Sequence, residues 1–69
     1  MRKFPNRVIE RAYHAAQGKV FRKKTEDATY IDQDGNTDYN HVALNWLEDQ
    51  GVLERELNEN WVFEYRIVK

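Results

Sequence analysis

Val8, Ile9, Ala12, Tyr13 and Ala16 recur at helical spacing, with Arg7, Arg11 and His14 on the opposite side and Glu10 among them. This stripe predicts a first helix. It starts at Pro5-Asn6, where proline is tolerated in a first turn and asparagine is a good cap, and Gly18 stops it. A long helix is predicted from Thr37 or Asp38 to Gln50, ended by Gly51 at the left-handed cap position. Beyond Gly51 the period drops to two. Leu53, Arg55 and Leu57 alternate with Glu54 and Glu56, and Trp61, Phe63, Tyr65 and Ile67 alternate with Val62, Glu64 and Arg66. Two such runs around Asn58-Glu59-Asn60 predict a hairpin, and a three-residue turn there pairs Leu57 with Trp61 and Leu53 with Tyr65.

Residues 19 to 38 admit two readings. In one, Thr25 caps a short helix over Glu26 to Asp34, Gly35 ends it and Thr37 caps the next, giving a helix-turn-helix. In the other, Val20 to Lys23 and Thr29 to Asp32 form a hairpin, and Asp34-Gly35-Asn36 turns the chain into the long helix. Tyr30 and Ile31 favour a strand, whereas Glu26, Asp27 and Ala28 suit a helix N-terminus. The helix is the favoured of the two.

A chain of 69 residues makes one small domain, residues 1 to 69, burying only about 60% of the surface its unfolded form exposes. Its 41% hydrophobic share and nine aromatics still supply one core, and 33% charged residues suit a soluble chain. Cysteine is absent, which excludes disulfides and zinc–thiolate sites. No apolar run approaches the roughly 20 residues of a membrane span, and no apolar stretch follows Met1-Arg2-Lys3. No membrane association and a cytoplasmic location are therefore expected. The net charge of −1 conceals a division: residues 1 to 24 carry eight Lys/Arg against Glu10, and residues 25 to 69 carry three against eleven acids. Either the halves attract one another in the fold, or a basic surface for an anionic partner stands beside an acidic one that repels nucleic acid.

The order Leu44-x-x-Leu47-Glu48-x-x-Gly51-Val52-Leu53-Glu54, followed by the hairpin, resembles the last helix and wing of a winged-helix domain. The resemblance covers about residues 37 to 68 well and the first helix loosely, and its motif is short. It implies an α+β domain of three helices, the second the uncertain element, with a C-terminal two-stranded antiparallel wing. It also implies that Leu44 and Leu47 face the core with Ala43 beside them, and that His41, Val42, Asn45 and Trp46 face outward, on the side that enters the major groove in DNA-binding members. That helix holds no Lys or Arg, and Asp38, Glu48 and Asp49 would meet the polyanion. The wing sets Glu54, Glu56 and Glu59 against Arg55, so ordinary major-groove reading is disfavoured. An outward Val42–Trp46 pair better suits a protein contact. In the alternative placement Tyr39, Val42, Ala43, Trp46 and Gln50 form the inner stripe, Trp46 is core and Leu44 is the exposed apolar residue.

Other constellations carry less. Trp61, Phe63 and Tyr65 on one strand face could stack unpaired bases, but so small a domain needs them in its core. Asp32-x-Asp34-Gly35-Asn36-x-Asp38 looks like part of a calcium loop. Its glycine is at the fourth position instead of the sixth and its twelfth residue is Ala43, so a turn plus helix cap explains it and no metal site is expected. Two histidines, no cysteine nucleophile, no glycine-rich phosphate loop and no paired-carboxylate pocket point to a non-enzyme without cofactors.

The leading expectation is a non-catalytic nucleic-acid-binding module that uses a basic N-terminal surface, Arg7, Arg11, Lys19, Arg22, Lys23 and Lys24, on DNA or RNA backbone. The alternative is an acidic protein-interaction domain, an adaptor, inhibitor or accessory module of a larger DNA-handling enzyme. It would dock through the long helix and wing with Val42, Leu44, Asn45 and Trp46.

Overall fold

The computed structural model describes residues 4–24 and 29–69. The described elements run α1 (Arg7–Ala16), β1 (Phe21–Lys23), β2 (Tyr30–Asp32), α2 (His41–Asp49), β3 (Leu53–Leu57) and β4 (Phe63–Ile67). The class is α+β: two helices and one antiparallel sheet in the order β2-β1-β4-β3 among the described residues.

Two expectations are corrected here. No helix forms between α1 and α2 among the described residues; the hairpin reading of residues 20 to 32 is the one realised. Phe21 pairs with Asp32 and Lys23 with Tyr30, while Phe21 also pairs with Tyr65 of β4. The predicted cap Thr25 and the helix start at Glu26 lie outside the described residues. The strands are favoured because they put Phe21 and Tyr30 on one face, both fully buried, with their rings edge to face at 6.0 Å. The second correction follows from the first. The C-terminal hairpin is not a free two-stranded wing, because β1 continues its sheet through β4.

Helix α1 begins as predicted: the Asn6 side chain caps it by accepting from the Ile9 N–H at 3.0 Å. Its stripe is narrower than predicted, since Ile9, Ala12 and Ala16 are buried, Tyr13 is partly buried and Val8 is exposed. Helix α2 starts later than Thr37. Asn40 is its cap, accepting from the Ala43 N–H at 3.0 Å, and Asp32 organises the chain before it. The Asp32 carboxylate accepts from the backbone N–H groups of Asp34 and Asn36, each at 2.9 Å, and from the Tyr39 hydroxyl. The calcium-like run is thus a loop folded around one buried carboxylate whose oxygens are already engaged. At the far end Gly51, at φ +75°, closes α2, with Gly51 N–H donating to the Glu48 carbonyl and Val52 N–H to that of Leu47.

The two helices pack against each other and on the sheet face that bears Phe21, Tyr30, Leu53 and Tyr65. Ala43, Leu44 and Leu47 complete this core, with Trp46 and Ile67 packed at its edge. The opposite sheet face carries Arg22, Ile31, Glu54, Glu56, Glu64 and Arg66, as strand alternation requires.

Candidate functional site

The predicted basic residues do not form one surface. Arg7 and Arg11 are exposed on α1, and Arg11 lines a groove with Val8, Tyr39 and Asn40. Lys19 lies near Gly18, Arg66 and Ile67, and its charge helps hold the Asp32 carboxyl low. Arg22 points to the open sheet face beside Gln33 and Glu64, while its neighbour Lys23 points to the helix side. Of the six, Lys23 and Lys24 line a common cleft, about 370 Å³, with Trp61, Val62, Phe63 and Tyr65.

The protein-docking set is also divided. Leu44 is fully buried and cannot be an anchor; the inward placement of Leu44 and Leu47 is realised, and the alternative stripe with Val42 inside is not. Val42 is 80% exposed, whereas Trp46 is half-buried against the core. His41 and Asn45 are engaged by β2. The His41 Nδ1 accepts from the Tyr30 N–H at 3.2 Å, the two rings stack, and the Tyr30 hydroxyl lies 2.9 Å from Asn45 Oδ1. Of the four residues expected to face a groove, only Val42 is fully open. Val8, Val42 and Trp46 line a shallow apolar groove of about 280 Å³ between the helices.

The tertiary fold brings a different set together at the turn end of β3–β4. The observed register joins Leu57 to Phe63 and Leu53 to Ile67, two residues beyond the predicted pairing. The loop is longer because Asn58 builds a turn of its own. Its Oδ1 accepts from the Asn60 and Val62 N–H groups at 2.8 and 3.0 Å, its N–H donates to the Val62 carbonyl, and Trp61 N–H closes back on the Asn58 carbonyl. With these bonds made, Trp61 stands at φ +63°, a left-handed position where glycine is the usual occupant. Trp61 is 82% exposed, and Leu57, Val62 and Phe63 are exposed beside it.

Cations lie over one exposed ring and two buried ones on this side of the sheet. The Arg55 guanidinium sits 4.4 Å from the Phe63 ring centroid. Lys23 Nζ lies 5.0 and 5.1 Å from the Tyr65 and Tyr30 rings and is tied to Glu48 at 2.8 Å. The Glu48 carboxyl is pushed up by burial, but the hydrogen bonds from Lys23 and from the Tyr30 hydroxyl outweigh this and hold it below its ordinary range. Burial and the same Glu48 contact push the Tyr30 hydroxyl well above its ordinary value, so it remains a donor. Within the hairpin the pleat separates charges by sign. Leu53, Arg55, Leu57, Phe63, Tyr65 and Ile67 share the helix-side face, and Glu54, Glu56, Glu64 and Arg66 share the other.

Reading the sequence alone missed Arg55, whose charge was summed with glutamates that face away from it. It also placed Trp61 and Phe63 in the core, where only Tyr65 belongs. The available signal was a turn, Asn58-Glu59-Asn60-Trp61, with no glycine to take the left-handed position. Among the described residues no group of acids and histidines is arranged to hold a metal ion, and no helix is long and apolar enough to cross a membrane. Comparison with known proteins finds no matching family model, no matching curated protein and no matching solved structure.

Proposed function

We propose that this chain is a small non-catalytic binding module for nucleic-acid backbone, working through the cleft at the turn end of the sheet. The observation that supports this reading is charge sorting. Arg55 lies over the exposed Phe63 ring, and Lys23 and Lys24 line the cleft with Trp61 and Phe63, on the side of the hairpin to which β3 and β4 contribute no carboxylate. Phosphate contacts need positive charge and reach, and an apolar floor lowers the dielectric around them. Lys23 is partly neutralised by Glu48, so Lys24 and Arg55 carry most of the attraction. The winged-helix relationship stays part of the proposal for α2, Gly51 and the hairpin. Groove reading through α2 does not, because His41 and Asn45 are engaged by Tyr30 and the helix holds no cation.

A second reading has its own observation. The groove of Val8, Val42 and Trp46 is a partly open apolar strip between the helices, suited to a protein partner.

Titration of a labelled oligonucleotide at low and moderate salt tests the first reading. With two or three phosphates contacted, the expected affinity is in the non-specific range, roughly 10⁻⁴ to 10⁻⁶ M, and falls with salt. The Lys24→Glu/Arg55→Glu double variant should lose it, while Arg7→Glu/Arg11→Glu should weaken it far less. Loss of binding only in the second pair would move the site to α1, and no binding at low salt would leave the Val42 groove as the working surface.

A further inference from the structure

Resting on the cleft reading above, we infer that Trp61 and Phe63 are a stacking platform for unpaired bases, so that the ligand is a single-stranded nucleic acid. Trp61 bears two costs that the described fold does not offset. A non-glycine residue at φ +63° is strained, and an indole 82% exposed leaves its apolar surface in water. A glycine at this position would relieve both. The backbone at Trp61 is nevertheless fixed, because the Asn58 side chain and the backbone closure around it hold the turn from both sides. Strain, exposure and rigidity at one residue are the marks of a side chain presented to a ligand.

Phe63 repeats the pattern. It lies on the helix-side face of the sheet, yet 42% of it is exposed, and its ring already carries the Arg55 guanidinium. Trp61 and Phe63 are two residues apart, so their Cα atoms are at most about 7 Å apart. That is twice the ~3.4 Å per-nucleotide rise of a stacked strand, so neighbouring bases reach both rings only from an extended, unstacked chain. A duplex keeps its base faces inside and has no face for an indole to cover except at its ends. Lys24 and Arg55 stand beside the rings where the phosphates of such a strand would run. A purely apolar protein contact would not account for Lys24 and Arg55 beside these rings. Stacking tolerates any base, so little sequence preference is expected, and DNA and RNA share the chemistry.

The test is fluorescence anisotropy of the full chain with oligo-dT, oligo-rU, a duplex of equal length and an abasic strand that keeps phosphates and sugars. Both base-bearing single strands should bind about tenfold more tightly than the abasic strand and the duplex. Trp61→Ala should remove most of that advantage and Trp61→Phe should keep it, with circular dichroism verifying that both variants fold. A preference for oligo-rU over oligo-dT beyond threefold would overturn the sugar-blind form of the inference. Equal binding of abasic and base-bearing strands, unaffected by Trp61→Ala, would overturn stacking while leaving the phosphate cleft in place. Binding of no oligonucleotide at all would overturn both.

Discussion

At its Gly51 end, the β3–β4 hairpin buries Leu53 beneath the helices, and Val68 N–H closes the strand pair by donating to the Val52 carbonyl. At its Asn58 end the same hairpin leaves Leu57, Trp61, Val62 and Phe63 open. The alternation of apolar and polar residues is similar along both halves, and the difference is cover. Helices of ten and nine residues are about 15 and 14 Å long, too short to roof a molecule whose long axis is 35 Å. Where the helices reach, an apolar residue stabilises the fold. Where they do not, the same residue type is available to a ligand.

The sharpest way to break this contrast is a pair of substitutions on one helix turn. Leu44→Ala should cost about 2–5 kcal/mol, because it leaves a cavity in the covered half. Stability of a domain this size is only about 3–10 kcal/mol, so that change consumes much of it. Val42→Ala, 80% exposed in the starting residue, should stay within about 0.5 kcal/mol apart from its small gain in helix propensity. Urea denaturation midpoints would decide; equal effects would mean that burial does not separate the two faces.

The next effect is acid sensitivity, and it belongs to the covered half. The hydrogen bond from Tyr39 chiefly holds the Asp32 carboxyl below its ordinary 3.8, and the Lys23 and Tyr30 contacts hold Glu48 below its ordinary 4.5 against the pull of burial. A folded-state value below the unfolded one contributes stability above the unfolded value and loses it as pH falls through the folded one. Thermal midpoints should therefore fall below about pH 4.5, and Asp32→Asn/Glu48→Gln should flatten that limb. At the other extreme, burial and Asp32 push the Tyr39 hydroxyl up to about 12. That contribution is complete below pH 10 and is lost as the pH rises through about 12. A double variant with an unchanged acid limb would show that these contacts do not carry it.

A small stability effect, of opposite sign, is expected at the uncovered end. Trp61→Gly relieves the left-handed strain and adds unfolded-state entropy, so these largely cancel and stability should rise by no more than about 1 kcal/mol. The same variant should lose most single-strand affinity. A clear loss of stability would instead make Trp61 a structural residue of the hairpin.

Much of the fold was legible in the chain because it is set by local chemistry. Asn6 as a cap, Gly51 as a stop, the inward pair Leu44 and Leu47 under the winged-helix resemblance, and the change of period after Gly51 all reflect neighbours within a few residues. The second element was not legible, because Tyr30 becomes a strand residue through partners distant in sequence: Phe21, Tyr65 and Asn45. The hairpin register was missed by two residues because Asn58 chose its own turn, a competition between side-chain and ladder hydrogen bonds that periodicity does not weigh.

The site divides along the same line. Composition and spacing determined which charges and rings the protein has, and that its basic residues cluster early in the chain. Only the tertiary structure decided which of them meet. The pleat sends Arg22 and Lys23 to opposite faces, and it sorts Arg55 from Glu54 and Glu56. The antiparallel pairing of β1 with β4 carries Lys23 and Lys24 to Trp61 and Phe63. The physical reason is range: capping and periodicity act within a turn or a strand, whereas a binding surface is assembled from side chains that only sheet order and register bring into contact.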